Sequence, residues 1–427
     1  MDINRKTAYK VLLRMEQTDA YSNIELNAQL KQEQPDSPGF VRELVYGVTE
    51  RRLYLDFFLS QLVSRGLKNM KAQPLTVLRM GLYQLMFMDS VPDYAAVDES
   101  VQLARRYCFG QAGLVNGVLR NYQRNKDKLK KPKSVKNTVK RLSYEYSFAP
   151  CITKMWLDQY GLDRTREIME ASNETPPVMI RVNPMKTDAD TLIARLEENE
   201  IQAVRSEDTD RILICKGKNI LDTMEYHQGW FSVQDEASVL AVEAFKPQPN
   251  DLIIDVCAAP GGKAMACAEI MNNTGKIIAF DLYEKKINHM KEEADRLGVT
   301  NIEASVHDAT KLDNELVGKA DRVICDVPCS GLGVVRRKPE IKYKKLINDG
   351  KDLAKLQLSI LETAAKYVKE GGQLMYSTCT INANENTGVI SAFLGKHSNF
   401  NLGRNRQLLP NSDGTDGFYY CKMKKRY

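Results

Sequence analysis

No run of roughly 18 or more apolar residues occurs anywhere in the 427-residue chain, which excludes a conventional membrane-spanning helix. The N-terminus, MDINRKTAYKVLLRMEQ, lacks a long apolar core ahead of a small-residue cleavage site, so no secretory leader is expected. Cysteines number nine, an odd and scattered set. That argues against a disulfide framework and for a reducing, cytoplasmic compartment. Cys325 and Cys329 are the closest pair, yet no second pair or histidine cluster completes a tetrahedron, so no metal is expected. A large charge of one sign is also missing: 61 Lys and Arg against 55 Asp and Glu leave +6, so the distribution matters more than the sum. Two phosphate signatures are absent as well. Without G-x-x-x-x-G-K-[ST] there is no phosphate loop, and without G-x-G-x-x-G a nicotinamide or flavin dinucleotide is disfavoured. What remains, 43% hydrophobic and 27% charged, is ordinary globular protein long enough for two to four domains.

The most informative stretch present is LIIDVCAAPGGKAMACAEIM, Leu252 to Met271. It reads as a buried apolar strand (Leu252–Val256), a turn of small residues (Cys257–Gly262) and a helix beginning near Lys263. Small residues there let a ligand approach backbone N–H groups at the helix start. The next apolar run, KIIAFD, ends in Asp281, about 20 residues beyond the glycines, where an adenosine ribose is gripped in such folds. A nucleoside cofactor is the expectation.

Residues 1–125 read as helices, with helical spacing in Ile3–Met15, Phe40–Leu62, Pro74–Met88 and Val97–Tyr107 and a break at Asp89–Pro92. From Arg120 to Arg141 nearly every second residue is Lys or Arg and Asp127 is the only acid; residues 126–141 are expected to be an exposed basic linker. Such a linker serves equally as a solvated tether or a phosphate contact. A helical pair, Pro150–Tyr160 and Thr165–Ala171, forms a connector over 142–175. Over 176–240, VMIRVN, RILICK and GWFSVQ read as strands and DADTLIARLEENE as a helix, a small α+β module. Its Arg181 and Asn183 are expected to brace the strand rather than to touch nucleic acid.

From 241 to 427 strands alternate with helices: Leu252–Val256, Ile277–Asp281, Ile302–Val306, Arg322–Asp326 and Gln373–Ser377, with GFYYCKMKK as a C-terminal edge strand. That alternation implies a mostly parallel sheet, and ligands of such sheets bind beyond the carboxyl ends of the strands. The chemistry-bearing residues gather at those ends: Asp255, the Cys257–Lys263 loop, Asp281, Asp308, Asp326 with Cys329, and Ser377-Thr378-Cys379. Several acids around an adenosine-sized crevice suit a cationic cofactor, S-adenosylmethionine, whereas ATP calls for cations and magnesium ligands. Two thiols at neighbouring strand ends suit methylation of a pyrimidine at carbon 5. That reaction needs a nucleophile for carbon 6, an acid for N3 and a base for the carbon 5 proton. Chemistry alone leaves open which thiol attacks.

DVCAAPGGKAMACAEIM, DVPCSGLGVVRRKPEIKY and YSTCTINANEN resemble motifs of the RNA 5-methylcytosine methyltransferases. With the helical front end, the whole chain resembles the RsmB family of bacterial 16S rRNA cytosine-C5 methyltransferases, whose front domain is similar to the antitermination factor NusB. The resemblance implies a NusB-like all-α RNA-binding bundle, an RRM-like α+β module and a Rossmann-like methyltransferase domain with a mostly parallel seven-stranded sheet. It implies Cys379 as nucleophile and Cys329 as the thiol that assists release. It also implies Cys257, Ala258, Ala259, Pro260, Gly261, Gly262, Lys263, Asp281, Asp308 and Asp326 as S-adenosylmethionine contacts, with Asp326 also facing the target base. The implied partner is 16S ribosomal RNA before full subunit assembly, bound by a monomer, with neither DNA nor membrane involved. DNA cytosine enzymes share the chemistry but attack with the Pro-Cys thiol and lack the Thr-Cys element. The same reaction on tRNA, or a non-catalytic RNA-binding assembly or antitermination factor, are the alternatives; intact Cys329, Cys379 and Asp326 weigh against the latter. The target base must be looped out to reach such a crevice. Arg336, Arg337 and Lys338 through Lys345 are expected at the flanking phosphates, with Pro339 and Tyr343 free to stack on bases.

Overall fold

The computed structural model describes residues 2–18, 22–344 and 351–427. The chain divides into two compact units, Met1–Glu174 with Val335–Leu346, and Thr175–Val334 with Ile347–Tyr427. Among the described residues no helix is long and apolar enough to cross a membrane.

The first unit is helical. It comprises α1 (Ile3–Thr18), α2 (Ser22–Glu33), α3 (Pro38–Glu50), α4 (Arg52–Leu62), α5 (Ala72–Phe87), α6 (Asp93–Tyr107) and α7 (Ala112–Asn125). Then follow α8 (Thr138–Tyr146) and α9 (Pro150–Ala171). Helix α5 is buried at every position from Pro74 to Gln84, as a helix apolar all round must be, and forms the centre of the bundle. Gly47 lets α3 approach it: a Cβ at 47 would lie 2.0 Å from the Tyr83 ring. The single helical period expected over Phe40–Leu62 is two helices, because Arg51 leaves helical geometry (φ −107°, ψ 17°). Gly161 (φ 74°) likewise splits α9, as the paired helical segments of the sequence imply. The basic stretch after α7 is ordered at least at Lys130, whose N–H donates to the Gln61 side chain (2.9 Å) while its C=O accepts from it (3.1 Å).

The second unit holds two sheets. In the smaller, β1 (Val178–Val182), α10 (Ala189–Glu198), β2 (Ile201–Arg205), β3 (Ile212–Gly217), α11 (Met224–His227) and β4 (Phe231–Val233) give the antiparallel order β2-β3-β1-β4. Strand β2 was not legible beforehand: it is a five-residue edge strand with only Ile201 and Ala203 facing inward.

The larger sheet begins after α12 (Glu236–Phe245) with β5 (Leu252–Asp255), α13 (Gly262–Ile270), β6 (Lys276–Asp281), α14 (Glu284–Leu297), β7 (Ile302–Val306) and β8 (Ala320–Asp326). It ends with α15 (Lys351–Tyr367), β9 (Val368–Thr378), α16 (Thr387–Lys396), β10 (Phe400–Leu408) and β11 (Phe418–Lys425). The order is β10-β11-β9-β8-β5-β6-β7, parallel from β9 to β7. The C-terminal strand is not the edge. Strand β11 is inserted antiparallel between β9 and β10, and the edge is β10, whose polar FNLGRNRQL gives no strand-like alternation. Its interior place explains why Tyr419, Tyr420 and Cys421 are buried.

Candidate active site at the strand ends

The sheet order places the carboxyl ends of β9, β8, β5, β6 and β7 in one row, neighbours being roughly 4.8 Å apart. Cys379, Asp326, the glycine turn, Asp281 and Asp308 follow one another along it. The turn after β5 is held by Ala258 N–H donating to Phe280 O (2.7 Å) and Gly261 N–H donating to Ala258 O (2.8 Å). Gly261 has φ +108°, and a Cβ there would meet Met290 Cγ at 2.8 Å, so both conformation and space call for glycine. Arg181 of β1 supports the same turn. Its Nη1 donates to Gly262 O (2.9 Å) and to Gln234, and its other nitrogens make a two-pronged pair with Glu269 of α13 (2.9 and 2.7 Å). Arg181 and Asn183 are fully buried, and Asn183 donates to Gly229 O and Leu297 O. Both brace the fold.

A cavity of about 300 Å³ opens beside the turn. Of the residues singled out in the sequence, Asp255, Ala258, Ala259, Pro260, Gly262, Lys263, Asp326 and Cys379 line it. Cys257, Gly261, Asp281, Asp308 and Cys329 do not form part of that wall. Gln234, Asp235 and Phe418 do, and the sequence reading missed them. Asp235 reads locally as a helix cap, which it also is, accepting from Ala237 N–H at 3.0 Å.

Asp255 is buried, and one of its oxygens accepts Cys257 N–H (3.3 Å) while Oδ2 has no partner. Burial, then the charge of Asp326, push its carboxyl up to about 7. Asp281 accepts from Tyr283 N–H (3.1 Å), and Lys286 Nζ lies 3.5 Å away. Asp308 accepts from both the hydroxyl and the N–H of Thr310, which holds its carboxyl below the usual range. Lys263 is turned inward: its Nζ bonds Asp326 Oδ2 (2.6 Å) and stands 5.0 Å from the Phe418 ring centre. The other oxygen of Asp326 accepts from Ser377 Oγ (2.7 Å), its register partner on β9.

The thiols of Cys329 and Cys379 lie 3.1 Å apart, both partly exposed. The Cys329 thiol is pushed well up, first by its hydrogen bond with Cys379 and then by burial. Cys257, Cys267 and Cys325 are pushed up first by burial and then by neighbouring charges, Asp255 among them. A buried network behind the pair joins the two thiol loops. Glu385 accepts from Ser330 N–H (2.8 Å), Gln357 (3.0 Å) and Asn382 (2.9 Å), and Ser330 Oγ meets Thr380 Oγ1 at 2.8 Å. Glu385 was not anticipated as a site residue, although TINANENTG, directly after Cys379, carried the signal in its density of amides and acid.

The stretch after Cys329 departs from expectation. Pro339 and Lys342 are buried within the helical unit, and Tyr343 is half-buried there with the Arg52 guanidinium over its ring (5.2 Å), so none is free for bases or phosphates. Lys342 Nζ donates to Glu50 O (3.2 Å) and to Asn173, and Tyr343 OH donates to Thr49 O (2.6 Å). A charged side chain whose donors are met by carbonyls can be buried, which periodicity and charge do not reveal. Arg336 is buried too, and Lys345 lies outside the described residues.

Three family models match the chain: NusB family over residues 2–124, an RsmF/B-like ferredoxin-like domain over 152–219, and 16S rRNA methyltransferase RsmB/F over 242–424. A "probable ribosomal RNA small subunit methyltransferase B" from Bacillus subtilis is 37% identical, covering 99% of this chain and 98% of its own. The chain belongs to the ribosomal RNA small subunit methyltransferase B family. The family's protein from Shewanella oneidensis is 34% identical over 90% of each chain. The crystal structure of PH0851 superposes with a TM-score of 0.82 at 26% identity, covering 98% of each chain. The resemblance read from the motifs is thus borne out, as is the NusB-like front end. The methyl donor of the small subunit methyltransferase B family is S-adenosylmethionine. The residues present fit it: the glycine turn admits close approach, and Asp255, one of whose oxygens has no partner, lines the cavity with further acids and no phosphate loop.

Proposed function

We propose that the chain methylates carbon 5 of a cytosine in 16S ribosomal RNA through a covalent bond between Cys379 and carbon 6. The observation that supports this most is that Cys379, which lines the cavity together with Asp326, has its thiol 3.1 Å from that of Cys329. S-adenosylmethionine, when bound, supplies an electrophilic methyl group. The residues proposed to hold it are those of the Cys257–Lys263 turn with Asp281, Asp308 and Asp326.

In this reading the Cys329 thiol donates its hydrogen bond to the Cys379 sulfur and favours the thiolate there. That thiolate adds to carbon 6, while Asp326, fixed by Lys263 and Ser377, protonates or hydrogen-bonds N3. Carbon 5 becomes enamine-like and gains the methyl group. With the Cys379 sulfur now bonded, Cys329 has no anion to support; it gives up its proton to solvent and becomes the base at carbon 5. The C5–H bond breaks, its electrons restore the C5–C6 double bond, and the Cys379 thiolate leaves. The base must be turned out of any stack to enter.

We further read residues 1–125 as an RNA-binding domain, 126–141 as its basic linker, 142–175 as a connector, 176–240 as the RRM-like module and 241–427 as the catalytic domain. The protein would act in the cytoplasm, as a monomer, on RNA not yet in a complete subunit. Incubation with labelled S-adenosylmethionine and separated 16S rRNA and tRNA tests the reading. Label at carbon 5 of cytosine in 16S rRNA is expected; label in tRNA alone, or in no RNA, refutes it.

A further inference from the structure

The helical unit has a second concavity, of about 760 Å³, that the reaction does not use. It lies where the α4–α5 loop meets the α6–α7 turn, among them Arg65, Asn69, Lys71, Phe109 and Gln111. The two segments that line it, Val63–Pro74 and Tyr107–Leu114, contain no acidic residue. Arg65, Lys68 and Lys71 on the first, and Arg105 and Arg106 just before the second, are all exposed. None of the five makes an ion pair with a described residue, whereas Arg79 nearby in the chain is tied to Asp56 at 2.8 Å. Phe109 is fully exposed (102%) on a tight turn held by Gln111 N–H donating to Cys108 O (2.9 Å). An aromatic ring is costly to leave in water, and it stands on ordered backbone among unpaired cations.

We propose that this groove binds an unpaired stretch of RNA, distinct from the target base, with Phe109 stacking on a base and Arg65 and Lys71 on phosphates. Cations that follow a backbone beside an aromatic platform are the means by which single strands are held. Asn69, Gln73 and Gln111 add amide donors and acceptors suited to base edges. The acid-free lining complements a polyanion, and the exposed ring favours a base over an acidic peptide. The inference rests on the proposed RNA substrate and locates a second contact with it.

The test uses the full chain, 16S rRNA transcript and two variants, Phe109→Ala and the double Arg65→Ala, Lys71→Ala. Melting temperature and cofactor affinity report that folding is intact. Each variant is expected to raise KM for the transcript, about tenfold, with kcat within about twofold of wild type. The double variant should also flatten the salt dependence of RNA binding by roughly 1.4 in log–log slope, about 0.7 for each lost phosphate contact. Unchanged KM and unchanged slope overturn the proposal, as does a defect confined to binding an acidic protein. Should the wild type methylate no RNA, the function proposed above fails, and unaltered RNA binding by both variants then overturns the groove independently.

Discussion

The sulfur atoms of Cys329 and Cys379 sit 3.1 Å apart although 50 positions separate them in the chain. Parallel pairing of β8 with β9 sets Asp326 opposite Ser377, so the loops bearing the two thiols leave the sheet side by side. Glu385 then fixes their approach by accepting the N–H of Ser330.

If Cys379 is the nucleophile and Cys329 the release thiol, the two alanine variants must differ in kind. Cys379→Ala is expected to lose methyl transfer and RNA–protein adduct while still binding cofactor. Cys329→Ala is expected to accumulate an RNA-linked protein, seen as a slow band on a denaturing gel. Adduct lost on Cys329→Ala and retained on Cys379→Ala would reverse the roles.

Glu385 has no contact with the cavity, yet three donors converge on its buried carboxylate. Glu385→Ala leaves them unanswered at about 1–3 kcal/mol each before relaxation. The expected outcome is a kcat at least tenfold lower with cofactor affinity nearly unchanged, read by methyl transfer and calorimetry. Wild-type kcat in a correctly folded variant would show that the network does not position the thiols.

Asp255 gives the site a pH dependence. Its folded-state value, about 7, stands above the ordinary carboxylate range, so its contribution to stability is full in acid and lost as pH rises through 7. A cationic cofactor favours the carboxylate, so its binding releases a proton and tightens over the same interval. S-adenosylmethionine affinity measured by calorimetry should therefore be weaker at pH 6 than at pH 8, and Asp255→Asn should flatten that difference. A flat wild-type profile would separate Asp255 from the cofactor.

Arg181 and Glu269, both at 0% side-chain exposure, form a buried pair, and loss of Arg181 leaves the Glu269 carboxylate to Arg211 (2.5 Å). Arg181→Met is expected to destabilise the second unit by about 1–3 kcal/mol and, through Gly262, to weaken cofactor binding. RNA affinity of the folded, cofactor-free variant should be unchanged; a selective loss of RNA affinity would instead make Arg181 a nucleic-acid contact.

Local chemistry was legible in the chain. The apolar run, small-residue turn and helix of Leu252–Met271 form as read because each is decided by neighbours a few residues away. The helical periods at Ile3–Met15, Pro74–Met88 and Val97–Tyr107 were legible for the same reason, whereas the break at Arg51 and the helices α2 and α7 were not. Strand β10 escaped because a polar edge strand carries no alternation, and Lys342 because its charge is answered by the carbonyl of Glu50 and the side chain of Asn173, far off in sequence.

Sequence alone determined which reactive groups the protein owns: two thiols in Asp-x-Pro-Cys and Ser-Thr-Cys settings, a row of acids and a glycine turn. Tertiary structure decided which of them meet. Strand order is set by pairing between segments distant along the chain, and no local pattern specifies it. Only the placement of β9 beside β8, and β8 beside β5, brings Cys379, Asp326 and the turn to one cavity, with Cys329 against Cys379.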